Sequence, residues 1–535
     1  MYVNDPSEIK SKTPSVPRTV VIGAGAAGLY AASQLAARGH EVVLIEAGGS
    51  QLGNFAPATY KNVGRNHSGI RLARSRNIGG TTNLWGGQLV EFQPIDLEGR
   101  KWLDHSSWPV SYDEIAPHFE AAYVNLGIPR KLIRDHDVWN EVGLKLPDLG
   151  PQLEMFLTRW MGIPNFAELF AKQLQSSPNI QTLLNHAVTG FRGSEGRIEA
   201  VRVVNGERKE FWIEGDVFFL AAGVIENARI LLASAHDPEY NAPWKDNPNV
   251  GAYFQDHLGG RLGSFHPTDK KTFFQIFSNI AHSGRKFQPK IRMRNDVLST
   301  ERIYNTQGYF AFESEISEHL VFFKQFMRAA LYSGKINGIG DLFRKAGGIA
   351  RFLVPLMWKY VWEHRIFVPS SSKTFLLMQS EHGPRFESRI AIDPSTVDAS
   401  GLPAVVLNWQ LSGDELSSFR DFALKVKQGL QDAGLGELKI DENLLALKSE
   451  YMDTLGDTYH QAGGTVMADS PESGVVDKNL KVFGTENLYI GGAGTFPSTS
   501  NANVTFTAIV FAERWVNFQT NATNPHAKAM ANEAL

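Results

Sequence analysis

Three glycines early in the chain, Gly23, Gly25 and Gly28, stand at the G-x-G-x-x-G spacing, and Glu46 follows them. Each suits one task in holding a dinucleotide. Gly23 permits a tight turn, Gly25 lets the backbone approach a pyrophosphate, and Gly28 lets a helix lie close against a strand. Ala26 and Ala27 open that helix with short side chains, so its free N–H groups face phosphate oxygens. Glu46 can accept hydrogen bonds from ribose hydroxyls. The motif serves NAD and FAD alike, so it marks a nucleotide site and leaves the cofactor open.

The elements that must position these residues are legible. Residues 19–22 are apolar and β-branched and predict a buried parallel strand, 26–38 a helix stopped by Gly39, and 41–45 a second strand. The chain has 535 residues, long enough for two domains, and a composition of 43% hydrophobic and 20% charged residues that suits a globular enzyme. A net charge of -3 gives no basic field for nucleic acid. The absence of cysteine excludes disulfides, cysteine-ligated metal clusters and a thiol-tethered cofactor. The 15 histidines include no H-E-x-x-H pair, so no metal site is expected. No apolar run approaches the roughly 18–20 residues that span a bilayer, and 1–17 lacks the pattern of a secretory signal. A cytoplasmic location is therefore expected.

Further segments carry shape or chemistry. Residues 79–87 read Gly-Gly-Thr-Thr-Asn-Leu-Trp-Gly-Gly, a loop whose backbone can lie against a flat ligand. Residues 218–223 read as a strand ending in a glycine turn, followed by a helix over 224–234. Asn249-Val250-Gly251 leads to Gln255-Asp256-His257-Leu258, and His460-Gln461-Ala462-Gly463-Gly464-Thr465 opens the C-terminal part. There, 487–490 predicts a strand, 491–497 a loop, and 506–518 a helix preceded by Asn503-Val504-Thr505.

Taken in order, these segments resemble the signatures of the glucose-methanol-choline family of FAD-dependent oxidoreductases. The resemblance touches 19–49, 76–92, 215–260, 379–393 and 455–518. The 79–87 loop is closer to the sugar-oxidising branch, the pyranose oxidases and sugar dehydrogenases, than to the choline branch. The fold so implied is α/β, or α+β overall: a Rossmann-like FAD-binding domain beside a substrate domain built on an antiparallel sheet. The expected FAD domain is discontinuous, 17–95 with 190–262 and 452–535. The cap and substrate domain takes 96–189 and 263–451.

Site residues follow from the same resemblance. Gly79, Gly80, Thr81, Asn83, Trp85 and Gly86 would pack on the flavin, Ala222 would sit at a second flavin-side turn, and Gly494, Asn503 and Thr505 would close the C-terminal side. Some relatives tether flavin to a histidine in the 79–87 loop. None stands there, which implies noncovalent FAD. The family's catalytic histidine falls on His460, and its second histidine or asparagine on Asn503. Gly492 replaces the aspartate usual before the last loop. His257 and His382 are read as packing or structural histidines. An alcohol carbon gives up a hydride only as its hydroxyl loses a proton, so His460 would act as base, Asn503 would donate to the oxygen, and flavin N5 would face the carbon.

The expected substrate is an alcohol, with a sugar or glycoside favoured and a non-sugar alcohol the alternative. The electron acceptor stays open between oxygen, a quinone and another protein. An NAD-dependent reductase and a flavin-fold subunit without turnover are the rival classes. Within the substrate domain, 373–378, 388–392 and 403–409 alternate as strands do, and 414–433 predicts an amphipathic helix with Leu416, Phe419, Phe422, Ala423 and Val426 on one face. Residues 319–366 are apolar and basic, with Lys324, Arg328, Lys335, Arg344, Lys345, Arg351, Lys359 and Arg365 against Asp341 and Glu363. Helical pieces are expected at 320–332 and 339–360. The segment reads either as an insertion covering the active-site mouth or as a face that docks on a membrane or a partner.

Overall fold

The computed structural model describes residues 1–10, 16–52, 59–100, 102–103, 106–313, 358–359 and 362–523. An all-parallel sheet of six strands runs in the spatial order Tyr2–Val3, Ile180–Leu183, Glu41–Ile45, Arg18–Ile22, Val217–Leu220 and Leu488–Ile490. Its central strands are apolar over residues 20–22, 42–45 and 217–220, as burial on both faces requires. The helix Ala26–Ala37 lies against the sheet and packs on the C-terminal helix Val504–Thr523. Register aligns the strand ends. Ile22 pairs with Ile45 and with Leu220, and Leu220 pairs with Ile490. The turns that follow, at Gly23, Glu46, Ala221 and Gly491, therefore open on one edge, where ligands of parallel α/β sheets bind.

A second, antiparallel sheet runs Gly436–Ile440, Leu258–Pro267, Lys373–Ser380, Thr306–Glu313, Arg285–Met293, Leu153–Trp160 and Gln88–Leu89, with Ile280–His282 and Gly456–Asp457 at its sides. Direct partners share a face. Ile291, Gly308 and Met378 align on one face, as do Pro289 and Leu157. That face lies under the helix Glu415–Asp432, which buries Phe419, Phe422, Ala423 and Val426. A Cβ on Gly308 would lie 3.2 Å from Phe422. The opposite face carries Thr158 opposite Gln288, Phe156 opposite Lys290, and Arg292, Gln307 and Gln379 in one row.

Several boundaries differ from the sequence reading. Ile180–Leu183, expected in the cap region 96–189, is a strand of the parallel sheet, and Tyr2–Val3 extends that sheet beyond it. Gln88–Leu89, expected in the FAD domain, is an edge strand of the antiparallel sheet. Strands of two to four residues carry too little periodicity to be assigned to a sheet from sequence. Arg389–Val397 and Pro403–Asn408 do pair, but with Tyr60–Asn62 in a separate small sheet rather than in the substrate sheet. The C-terminal helix starts earlier than expected, at Val504. Most of 319–366, including the expected helix at 320–332 and nearly all of 339–360, lies outside the described residues. Among those described, Trp358 and Trp362 are 58% and 70% exposed. No helix among the described residues is long and apolar enough to cross a membrane.

Candidate active site

At the sheet edge the three fingerprint glycines meet three different constraints. Gly23 has φ +99°, and a Cβ there would lie 2.6 Å from the Ala221 carbonyl oxygen. A Cβ on Gly28 would lie 1.9 Å from the Gly23 carbonyl oxygen, so helix and turn touch. A Cβ on Gly25 would meet nothing within 4 Å. It would project into a cleft, which is where a pyrophosphate needs bare backbone. Glu46 is buried, and its two carboxylate oxygens accept the Ala24 N–H at 2.9 Å and the Gly48 N–H at 2.8 Å. Burial pushes its carboxyl up, and these backbone donors pull it part of the way back.

Of the residues expected to hold the cofactor, Gly23, Gly25, Ala26, Ala27, Glu46, Gly80, Thr81, Ala222 and Thr505 line this one cleft, with Gly491 and Gly492 on its far side. Gly28, Gly79, Asn83, Trp85, Gly86, Gly494 and Asn503 do not line it. Asn83 holds its own loop: Nδ2 donates to Asn77 Oδ1, to the Ile78 carbonyl and to the Gly80 carbonyl, and Oδ1 accepts from Asn165. The Trp85 indole N–H donates to the Pro164 carbonyl at 2.7 Å, and its ring meets Phe166 edge-on. Gly79 takes φ +92° at the head of the turn. Gly86 lies under Trp160, where a Cβ would come 3.3 Å from the indole nitrogen. Gly494 packs on Thr465, where a Cβ would come 2.8 Å from the hydroxyl.

His460 lies beyond this cleft, toward the antiparallel sheet. Its Nδ1 is 2.8 Å from Thr458 Oγ1 and 3.2 Å from His257 Nδ1, and its Nε2 has no partner among the described residues. Its backbone N–H donates to Asp256 Oδ1 at 2.8 Å. Burial pushes the imidazole down to about 4; Asp256 opposes that shift and Lys290 adds to it. The ring is therefore neutral at physiological pH and open to a proton at Nε2. His257, read from sequence as a structural histidine, is fully buried, but its partners are His460 and the sheet residue Gln379. Nδ1 also accepts from Gln379 Nε2 at 3.0 Å, and burial holds it well below its ordinary pKa. His382 does fit a structural role. It lies 2.9 Å from the Gly383 carbonyl and accepts the Trp409 indole N–H at 3.1 Å.

The polar face of the antiparallel sheet looks onto this cluster, and the sequence reading missed it. Gln379 donates both to His257 and to the Asn501 carbonyl at 3.0 Å. Gln88 links Thr158 and Gln288 at 2.6 and 3.2 Å. Lys290 is buried, with its amine 4.8 Å from the Tyr309 ring centre, and burial pushes it down to about 7. Several buried polar atoms have no partner among the described residues: both amide atoms of Gln307, Oδ1 of Asn501 and Oδ1 of Asn503. Buried polar groups ordinarily find partners. A cluster of orphans beside the antiparallel sheet fits a polar ligand and the flavin ring it would react with. The alternation of 285–293, with Phe287, Pro289, Ile291 and Met293 against Gln288, Lys290 and Arg292, was the available signal.

His67, Asp256 and Asp457 also gather within 4.8 Å of one another. Their atoms are already engaged. His67 Nδ1 accepts the Ile70 N–H, so its proton is on Nε2, which donates to Asp256 Oδ2 at 2.9 Å. Asp457 accepts the backbone N–H groups of Ser68 and Gly69. The group is a clamp that ties the Gly69–Leu72 helix to the segment carrying His460.

A glycine-lined dinucleotide cleft running toward a neutral histidine under a polar sheet is the arrangement of a nucleotide-dependent oxidoreductase. The family model of FAD dependent oxidoreductases matches residues 18–286, and that of the GMC oxidoreductases matches 384–512. The chain belongs to the FAD dependent oxidoreductases, whose model spans half of it; its C-terminal part matches the GMC oxidoreductases, and the enzyme acts on alcohols. It is 23% identical over 495 residues to 2-methyl-1,2-propanediol dehydrogenase of Mycolicibacterium austroafricanum, covering 82% of this chain and 79% of that one. A 124-residue stretch is 32% identical to paromamine 6'-oxidase of Streptomyces fradiae, covering 20% of this chain and 23% of that protein. Among solved structures, pyridoxine 4-oxidase from Mesorbium loti shares the fold with a TM-score of 0.58 at 16% identity, over 94% of this chain and 99% of that one. A fungal aryl-alcohol oxidase does so at 0.54 and 15%, over 95% and 100%.

Proposed function

We propose that this enzyme oxidises a CH–OH group of a polyhydroxylated alcohol, of sugar or glycoside type, to a carbonyl, with His460 as base and Asn503 as hydrogen-bond donor to the reacting oxygen. The observation that carries this reading is the pairing of a neutral His460, open at Nε2, with buried polar atoms of Gln307, Asn501 and Asn503 that lack partners among the described residues. Bound FAD would take the hydride from the alcohol carbon. His460 takes the hydroxyl proton at Nε2 as the carbon–hydrogen bond breaks. Thr458 and His257 fix the imidazole through Nδ1, and Asp256 fixes its backbone. Asp256 also favours the imidazolium that forms, while the Asn503 amide aligns the oxygen. The polar sheet face, with Gln88, Gln288 and Gln307, supports a substrate with several hydroxyls over an aromatic one.

FAD is proposed to be held without a covalent bond by the cleft around Gly25, Glu46, Gly80 and Thr81, since the 79–87 loop offers no histidine. Acid precipitation of purified protein should leave the yellow colour in solution. The substrate reading is tested by anaerobic bleaching of the flavin with sugars, glycosides, small diols and aryl alcohols in parallel. Bleaching by aryl alcohols with sugars and glycosides inert would overturn it.

A further inference from the structure

Lys290 has no role in the chemistry above, and its place is costly. Its residue is 2% exposed, and among the described residues its amine has neither a carboxylate partner nor a hydrogen bond; it stands 4.8 Å from the centre of the Tyr309 ring. A cation–π contact offsets only part of the loss of hydration of an ammonium group. Buried lysines ordinarily stand against a carboxylate, as Arg159 stands against Asp135 in the neighbouring strand. Burial alone accounts for the fall in the lysine's proton affinity.

The position is specific. Lys290 lies on the polar face of the sheet, in the row next to Arg292, Gln307 and Gln379, and Gln379 is bonded to His257. Its charge acts on both His257 and His460. Gln307, with both amide atoms unpartnered among the described residues, is on the same face. We propose that Lys290 is a specificity-determining residue that holds an anionic group of the substrate, and that this group is a carboxylate, so the preferred alcohol is a sugar acid or related hydroxy acid. A carboxylate brings one negative charge to one cation, and the Gln307 amide can donate to its second oxygen. A phosphate would bring close to two charges against the same cation. The inference rests on the alcohol-oxidation reading above and narrows its substrate.

The test uses the full-length, FAD-loaded enzyme under anaerobic conditions, with flavin reduction read at one pH. Matched pairs are glucuronate against glucose and glycerate against glycerol. The acid of a pair should reduce the flavin with the higher second-order rate constant. In Lys290→Met the acid-to-neutral ratio should fall by about ten- to hundredfold, the range for a lost charge-assisted hydrogen bond, and Lys290→Arg should keep part of it. An unchanged ratio in Lys290→Met overturns the proposal. If that variant does not fold, the wild type decides alone: acetate should perturb the flavin spectrum and compete with substrate at least tenfold more tightly than acetamide, and equal binding overturns the inference. Should no alcohol of either kind reduce the wild-type flavin, the alcohol-oxidation reading fails, and the acetate titration of the oxidised enzyme still decides the role of Lys290.

Discussion

Around Gly25 the protein offers bare backbone; around His460 it offers side chains drawn from distant segments. The cleft depends on what is missing, since a Cβ on Gly25 would enter empty space and one on Gly28 would strike a carbonyl. The proposed alcohol site depends on what is added: a histidine, its Nδ1 partners, and a sheet face set with glutamines and a lysine. A cradle for a dinucleotide common to many enzymes can be generic. A site that selects one alcohol must differ from enzyme to enzyme, and side chains on a rigid sheet are the means of doing so.

This contrast breaks most severely at Gly28. Gly28→Val puts its Cβ 1.9 Å from the Gly23 oxygen and should yield no folded holoprotein, whereas Gly25→Val, with open space around it, should fold with a native far-UV circular dichroism spectrum and lack stoichiometric FAD. Tight flavin in Gly25→Val would show that the phosphates sit elsewhere. On the other side of the comparison, His460→Ala should keep its flavin and lose flavin reduction by roughly 10²–10⁴-fold, the range for a removed general base. Stopped-flow reduction by the best substrate measures this, and a near-normal rate would remove His460 from the chemistry.

The pH response sharpens the difference further. Because His460 is pushed from 6.5 to about 4, the reduction rate should not show a histidine limb near 6.5 and should fall only as pH drops toward 4. The same shift has a sign for stability. The unfolded chain takes up this proton near 6.5 and the folded one only near 4, so the contribution is full above 6.5 and is lost as pH falls through that window. Thermal melts of wild type and His460→Gln across pH 4–7 would reveal it as a narrowing gap between wild type and variant on acidification. The smallest effect is expected at Gln379. Gln379→Ala removes the donor to His257 and to the Asn501 carbonyl; only the first bears on the base, so reduction should slow by about tenfold or less with FAD retained, the scale of one neutral hydrogen bond. Loss of flavin in that variant would mean that Gln379 serves the cleft rather than the alcohol site.

The sequence reveals these two sites unequally, for physical reasons. Gly23, Gly25, Gly28 and Glu46 lie within one strand–helix–strand unit, so spacing alone places them, and the structure brings them to the same edge. His460 and Asn503 come from the resemblance to known signatures, since nothing local marks a histidine in a loop as a base. Asn83 shows how a motif residue can belong to a loop's framework: its amide is spent on Asn77, Ile78 and Gly80. Lys290, Gln307 and Gln379 stand on three strands from separate segments, and only strand pairing places them on one face. The alternation in 285–293 shows that a strand has two faces without saying which of them meets a ligand.

The turn at Gly80 has a consequence for time rather than for affinity. A Cβ on Gly80 would lie 2.9 Å from the Cα of Gly25, and both residues line the dinucleotide cleft. The two glycine loops thus touch across the site, one from the parallel sheet and one anchored by Asn83 to Asn165. A dinucleotide seated there would be clasped, and its escape would wait on the parting of the loops. Retention of the cofactor through dilution and purification then becomes a matter of how often that clasp opens, a rate set by the Asn83 bonds and separable from the strength with which the phosphates and ribose are held.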